Sequence, residues 1–195
     1  MNKTLIYFAS TSLVLYALSV SAADNKAATS TTTSSTTTST TTATAGAPTD
    51  PQIAAIVVTA NTVDIEAGKK AKAATKNPEV KKFAQLMITD HMAVNKSATD
   101  LVKKLKVTPE ESETSRALKK GGDDSMAKLK DLKGKAFDKA YVDNEVTYHQ
   151  SVLDSIDKTL IPSAKNDELK NLLLKVRPNI ADHLEHAKHL QSTIE

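Results

Sequence analysis

The chain is predicted to fold as an all-α protein built on four long helices, and three observations predict this. No stretch alternates apolar and polar residues over the length of a strand. Ala, Lys, Leu and Glu, all good helix formers, recur with apolar residues three and four positions apart. Proline and helix-capping residues stand where the helical patterns begin. Each helix then has one apolar face, and four such faces predict a shared core.

The first 23 residues are typical of a secretory signal. Lys3 supplies the positive start, an apolar run extends from Leu5 to Val20, and the small residues 20–22 suit cleavage. No second apolar run of about 20 residues follows, so we expect no transmembrane segment in the mature protein. The chain has no cysteine, which excludes disulfides and a lipid-anchored cysteine. We expect an exported protein, periplasmic or extracellular.

Residues 24–49 are predicted to be a disordered linker. Positions 29–42 are an unbroken run of Ser and Thr, which cannot bury apolar area. A passive spacer, a tether to the cell surface and an O-glycosylated stalk are all compatible with this composition. The folded domain is therefore predicted to span residues 50–195.

The composition argues against a nucleic-acid partner. The formal net charge is +3, and it falls by one when Lys3 is removed with the signal. With no Trp and three Phe, the chain has no aromatic platform on which single-stranded bases would stack. A charge so near zero also provides little attraction for a phosphate backbone.

Helix one is predicted over about 51–75, with Asp50 as its N-cap and Pro51 at the first helical position. At 100° per residue, Asp64 falls inside its apolar stripe. Gly68 lies on the same face, where it would allow a close helix approach. The remaining stripe consists of Ile53, Ile56, Val57, Ala60, Ala67 and Ala71.

Helix two is predicted over about 78–106, with Asn77 as its N-cap. His91 lies within its apolar stripe, Asn95 stands beside it and Asp90 lies on the flank. The link from 107 to 134 should hold a short helix that opens at a Thr108–Glu111 capping box and stops at 121–122, then a second short segment over 125–132. So long a link fits the helical crossover between helices two and three of a ferritin-like four-helix bundle.

Helix three is predicted over about 135–160, and Glu145 and His149 are i,i+4 neighbours near the centre of its apolar face. Helix four is predicted over about 166–194, with His183 in its stripe. His186 at the edge of that stripe and His189 outside it are interpreted as surface residues. Pro178 should kink this helix, since it cannot donate to the carbonyl of residue 174.

Each predicted helix thus has an ionisable residue at the middle of its apolar face. Counted from the turns that join the helices, Asp64 and His91 lie at similar heights, as do Glu145, His149 and His183. Apolar cores exclude unpaired charge, so we expect these five residues to form one polar layer inside the bundle.

The polar layer has two interpretations. The first is a candidate site for a single transition metal, zinc, copper or iron, with His91, His149 and His183 as ligands and Asp64 or Glu145 supplying oxygen. Asn95, Asp90 and Tyr148 would then orient the imidazoles. The second is a buried network in which the carboxylates and imidazoles form hydrogen bonds with one another. The two tyrosines of helix three, Tyr141 and Tyr148, are interpreted as core aromatics with hydroxyls at the rim.

A di-iron carboxylate centre is disfavoured, because it requires Glu-x-x-His on two helices. The residues three before His91, His149 and His183 are Ile, Val and Ile. Nucleophilic catalysis has no support either, with no cysteine, Gly-x-Ser-x-Gly or phosphate-binding glycine loop. We therefore expect a binding, structural or envelope-stress protein rather than an enzyme. A metal-dependent enzyme and a bundle destabilised by protonation of the histidines near pH 5–6 remain alternatives.

Several segments resemble an exported bacterial family known as domain of unknown function 4142 (DUF4142). They are DIEAG at 64–68, VKKFAQLMITDH at 80–91 with Asn95, GKAFDKAY at 134–141 with His149, and Pro178, His183-Leu184 and Ala187. The family usually has Glu where Asp64 stands, so the carboxylate here is shorter. The resemblance covers residues 50–195 and implies a ferritin-like helical domain and export, but no established activity.

Overall fold

The computed structural model describes residues 46–194, and it contains helices and no strand within that range. The helices are α1 (Asp50–Ala74), α2 (Pro78–Leu105), α3 (Glu113–Leu129), α4 (Gly134–Ser155), α5 (Ile161–Ser163) and α6 (Asp167–Thr193). The predicted signal segment and residues 24–45 of the predicted linker lie outside the described residues. Within 46–194, no helix has the length and hydropathy needed to cross a membrane.

The four long helices enclose a common interior. α1 packs mainly on α2 and α4 mainly on α6, while contacts of α2 with α6 and of α1 with α4 close the ring. α3 lies against α1 from outside and also touches α4. The all-α prediction is therefore confirmed.

The apolar core is divided into two clusters. One contains Phe83 and Tyr141, and the other contains Ile53 and Leu173. Along each of the four long helices, the predicted polar residues stand between positions that belong to the two clusters. The polar layer thus lies between the two apolar clusters, where a charge has little access to water.

The start of α1 differs from the prediction by one residue. Its N-cap is Thr49, whose hydroxyl accepts a hydrogen bond from the backbone N–H of Gln52. Asp50 is instead inside the helix, and its carboxylate accepts hydrogen bonds from the backbone N–H groups of Lys165 and Asn166 at 2.9 Å each. The side chain is used to fix the loop before α6 rather than to cap its own helix.

The connection between α2 and α4 is one helix, so the predicted capping box and the predicted break are both wrong. Ser112 caps α3 and Ser115 completes its capping box. The helix continues through Gly121 and Gly122 to Leu129. A Cβ on Gly122 would lie 2.7 Å from a Val63 methyl, so this glycine lets α3 approach α1 closely.

Glycine also permits a close approach of α1 and α2, as predicted. A Cβ on Gly68 would lie 3.0 Å from the carbonyl oxygen of Ala84. Beyond α4 the helix widens into a π-helical turn, Ile156–Leu160, before α5. Pro162 gives a physical reason, because its ring would clash with the carbonyl four residues earlier in a regular α-helix. Pro178 lies inside α6, and the kink expected there stays a prediction.

Candidate metal centre

All five residues of the predicted polar layer are buried in the same region. The exposed fractions are 1% for Asp64, Glu145 and His149, 4% for His91 and 5% for His183. α1, α2, α4 and α6 each contribute at least one of them. The phase of four separate apolar stripes therefore brings these side chains together.

The imidazoles of His91 and His149 meet at the carboxylate of Asp64. Asp64 Oδ2 lies 3.0 Å from His91 Nε2 and 3.2 Å from His149 Nε2. One ring nitrogen from each of His91, His149 and His183 lies within 4.8 Å of the other two. Asp64, Glu145 and His149 form a second group of atoms with the same spacing.

The outer nitrogen of His91 is held by a residue on α1. His91 Nδ1 lies 2.7 Å from Asn61 Oδ1, and Asn61 Nδ2 donates to the carbonyl oxygen of Val57 at 2.7 Å. Since the amide nitrogen is used in that bond, the amide oxygen is the acceptor for His91. We therefore assign the proton of neutral His91 to Nδ1, which leaves a lone pair on Nε2.

The same logic applies to the other two imidazoles. His149 Nδ1 lies 3.0 Å from the backbone carbonyl oxygen of Glu145, which can only accept. His183 Nε2 lies 2.9 Å from Asp90 Oδ2, a carboxylate oxygen. When neutral, each histidine thus donates its outer N–H to a fixed acceptor, so the inner lone pairs belong to His149 Nε2 and His183 Nδ1.

The inner atoms have no hydrogen-bond partner among residues 46–194. They are His91 Nε2, His149 Nε2, His183 Nδ1, both Asp64 carboxylate oxygens and Glu145 Oε2. The contacts of Asp64 with His91 and His149 are short, but their geometry is not that of a hydrogen bond. While the three imidazoles are neutral, lone pairs face lone pairs, and each unsatisfied buried group costs about 1–3 kcal/mol. A cation bound by the three inner nitrogens and by Asp64 Oδ2 would satisfy these four atoms.

Comparison with known sequences assigns the chain to a family. The profile of the family described as "Domain of unknown function (DUF4142)" matches residues 35–190. The chain belongs to the DUF4142 family. No curated protein and no solved structure matches it.

The two carboxyl groups of this DUF4142 site have opposite pKa shifts. Burial alone would raise the pKa of Asp64, but the neighbouring imidazoles, His91 first, together hold it below its usual value. Burial raises the pKa of Glu145 to about 7, and the charge of Asp64 adds to the rise while His149 opposes it. Asp64 is therefore the permanent negative charge of the site.

Two histidines of the site, His149 and His183, also have opposite pKa shifts. Burial would lower the pKa of His149, but Glu145 and Asp64 outweigh it and raise that pKa to about 9. Burial lowers the pKa of His183, although Asp90 opposes the shift. The expectation that protonation of every inward histidine opposes packing is therefore wrong for His149. The negative potential that holds a proton there would equally attract a metal cation.

The predicted orienting residues are partly wrong. Asp90 does contact His183. Asn95 instead donates to Thr62 Oγ1 at 3.3 Å, and Tyr148 donates to the carbonyl oxygen of Ala60 at 2.8 Å. Asn61 was missed, although a polar amide one turn before Asp64 on the apolar stripe of α1 was a usable signal.

Other polar and aromatic side chains near the layer also need correction. Tyr141 is fully buried, so its hydroxyl is not at the rim, and it has no partner in the described part of the chain. Burial, with Glu145 and Asp64 adding to it, raises the pKa of Tyr141 well above its usual value. His186 is half-buried and packs edge-on against Phe83, with ring centroids 5.0 Å apart.

Proposed function

We propose that this DUF4142 protein is an exported, ferritin-like helical bundle that binds a single transition-metal ion in its polar layer. His91, His149 and His183 would supply three imidazole nitrogens and Asp64 a carboxylate oxygen. Nitrogen-rich sets of this kind suit zinc, copper or iron. The role that we propose is binding or structural in the cell envelope, because the sequence has no cysteine, no Gly-x-Ser-x-Gly and no phosphate-binding glycine loop.

One observation carries the proposal. In each of the three imidazoles, one ring nitrogen is hydrogen-bonded to an acceptor outside the polar layer, and the other ring nitrogen faces the layer without a hydrogen-bond partner within residues 46–194. Asn61, the carbonyl of Glu145 and Asp90 act as the outer acceptors. Metal-binding histidines in proteins almost always donate their second N–H in this way. Neutral imidazoles held in this way offer no N–H to the Asp64 carboxylate, so the inner nitrogens and this carboxylate can together bind a cation.

The spacing of the inner atoms also fits a metal. Bonds of about 2.0–2.1 Å in a tetrahedral site place neighbouring ligand atoms about 3.3 Å apart. The two nitrogen–oxygen distances at Asp64 Oδ2 are 3.0 and 3.2 Å. Glu145 Oε2, at 3.4 Å from His149 Nδ1, is close enough to pair with that histidine or to become a further ligand.

The ring of four long helices, with α3 in the link between α2 and α4, supports the ferritin-like assignment. Ferritin chemistry does not follow from it. A di-iron centre requires more carboxylates than this layer supplies, because within residues 46–194 the two groups of candidate ligand atoms contain Asp64 and Glu145 as carboxylates, and Asp90 is bound to the outer nitrogen of His183. A single ion is therefore the better match.

The second candidate is a purely structural network with no metal. It is favoured by the pKa of about 9 at His149, which would keep that imidazole protonated between Asp64 and Glu145 at neutral pH. In this case the charged pair fixes the register of the helices. A metal-dependent enzyme using the same ligands is the third candidate, and metal binding without turnover would exclude it.

Elemental analysis decides between metal and network. Protein purified without a histidine tag is exposed in turn to zinc, copper and iron, freed of excess ion and analysed. We expect about one ion per chain, loss of it in the His91→Ala/His149→Ala variant, and its retention in His189→Ala, where an exposed histidine is removed. Failure of all three metals to bind stoichiometrically would overturn the proposal.

Export is tested separately. N-terminal sequencing of the protein recovered outside the cytoplasm should begin near residue 23 or 24, since the small residues before that point suit cleavage. Recovery only of the uncleaved chain from the cytoplasm would contradict the export proposal.

A further inference from the structure

We propose that a narrow cavity beside the polar layer binds a small uncharged molecule of two or three non-hydrogen atoms, next to the proposed metal. The cavity is lined by residues of α1, α2, α4 and α6 and by Leu118 of α3, and Asp64, His91 and His149 form the polar wall of this lining. The orientation of the ligand toward a metal rests on the proposed function, but the cavity itself does not.

The size of the cavity limits its occupant. Its volume is about 40 Å³, and one water-sized position needs about 10–15 Å³ on this measure. The space therefore holds about three such positions. Benzene occupies engineered cavities of about 150 Å³, so an aromatic ring is too large here.

The walls determine the chemistry of the occupant. Apart from the polar wall, the lining is mostly aliphatic, with Val57, Val152, Ile156 and Leu173 among its residues. An ion against aliphatic side chains would lose its hydration without compensation, and an anion would also face the ionised carboxylate of Asp64. These conditions favour a small uncharged molecule, of which diatomic gases are the simplest class.

The polar wall is nine-tenths or more buried and has unsatisfied atoms. Asp64, His91 and His149 are at most 4% exposed. His91 Nε2, His149 Nε2 and the Asp64 carboxylate oxygens have no hydrogen-bond partner within residues 46–194. These are the atoms proposed to bind the metal, so a molecule in the cavity would lie beside the four-coordinate ion and could bind it only as a fifth ligand.

The cavity coincides with the irregular part of the α4 segment. Ile156 and Leu160, the first and last residues of the π-helical turn, both line it. The turn closes with a hydrogen bond from the N–H of Ile161 to the carbonyl oxygen of Ile156. Single π-helical turns within α-helices are frequent at functional sites.

Xenon tests the cavity without a metal. Metal-free protein is studied under xenon pressure by crystallography and by xenon NMR. We expect xenon in the wild type and in Ala93→Leu, where an exposed alanine is enlarged, but none in Ala60→Leu, which fills the cavity wall. If Ala60→Leu fails to fold, Val152→Ile serves as the milder filling variant. Absence of xenon from the wild type, or equal binding in the filled variant, would overturn the inference.

Nitric oxide tests whether the cavity opens onto the metal. Protein loaded with ferrous iron is treated with nitric oxide without oxygen and followed by electron paramagnetic resonance. We expect an iron–nitrosyl signal in the wild type and Ala93→Leu, and at least a tenfold weaker signal in Ala60→Leu at unchanged iron content.

The two measurements fail independently. Iron retained without a nitrosyl signal would overturn the small-molecule site next to the metal and leave the proposed metal function intact. Xenon bound in a protein that retains none of the tested metals would overturn the proposed function and leave the cavity as a binding site. An equal nitrosyl signal in Ala60→Leu would exclude the cavity as the route to the ion.

Discussion

Asn61 should matter for metal binding although it is not itself among the proposed ligands. Its amide oxygen accepts from His91 Nδ1 at 2.7 Å, while its amide nitrogen is fixed by the carbonyl of Val57. Asn61→Leu replaces the amide with an apolar group of similar shape. The imidazole of His91 would then lose the bond that fixes its tautomer and orientation.

The expected losses of metal affinity and of folding stability in Asn61→Leu follow from these contacts. Loss of an orienting partner typically weakens metal binding 10- to 100-fold, which is about 1.4–2.7 kcal/mol. In the metal-free protein, the buried His91 Nδ1–H would be left without an acceptor, at about 1–3 kcal/mol of the free energy of unfolding. Competition against a chromophoric zinc chelator measures the first quantity, and urea denaturation in excess chelator measures the second.

Asn95→Leu is the matched control, because Asn95 stands one turn from His91 on α2 and bonds Thr62 instead. It should change the zinc dissociation constant less than about threefold, since the hydrogen bond of its amide goes to Thr62 and not to a proposed ligand. Equal affinities for the Asn61 and Asn95 variants would refute the reasoning that the Asn61–His91 bond prepares the site.

Three further predictions concern charge, pH and packing. Asp90→Asn keeps an oxygen acceptor for His183 but removes the charge, so zinc affinity by competition should fall about tenfold; unchanged affinity would contradict this role. The folded-state pKa of about 9 at His149 exceeds its usual 6.5. The stabilisation that protonated His149 contributes is therefore complete below pH 6.5 and is lost as the pH rises through 9. Urea midpoints of the metal-free protein should fall over that interval in the wild type, and they should fall less in His149→Gln. Parallel pH profiles of the two proteins would contradict this role of His149. Gly122→Ala should lower the free energy of unfolding by about 1 kcal/mol, because the added Cβ would clash with Val63. In a Val63→Ala background the same substitution should raise the free energy of unfolding by about 1 kcal/mol, because alanine has the higher helix propensity. Thermal melts in which the substitution shifts the midpoint in the same direction in both backgrounds would disprove the packing argument.

The sequence predicts the polar layer well because helical phase is a strong constraint. At 100° per residue, an ionisable group inside an apolar stripe has little alternative to burial, and five such groups at matching heights meet. Asp64 and His183, on helices far apart in the chain, were placed in one layer by this reasoning alone. The outcome depends on periodicity, which needs no knowledge of individual contacts.

Contacts that depend on helix rotation and side-chain rotamers are not predicted so well. Asn61 and Asn95 both stand near the layer by phase, and only the packing of α1 on α2 decides which one reaches His91. Tyr141 was placed at the rim because a hydroxyl usually seeks water, yet packing buries it completely.

Local signals also failed where tertiary packing used the same residue differently. The Gly121–Gly122 pair is a common helix stop, but α3 continues through it because Gly122 faces Val63 on α1. Asp50 is of a residue type that is favoured at N-caps, but its carboxylate accepts hydrogen bonds from the backbone before α6. The preceding threonine, Thr49, caps the helix instead. In each case a long-range contact overrides a local preference.

The central claim is that three imidazoles and the Asp64 carboxylate bind one ion. X-ray absorption spectroscopy of the zinc-loaded protein tests it most directly, since imidazole rings give a distinctive outer-shell scattering. The account predicts nitrogen and oxygen ligands at about 2.0–2.1 Å with scattering from three imidazoles, reduced to two in His183→Ala. A first shell of oxygen atoms without imidazole scattering, or a spectrum that is the same in His183→Ala, would contradict it.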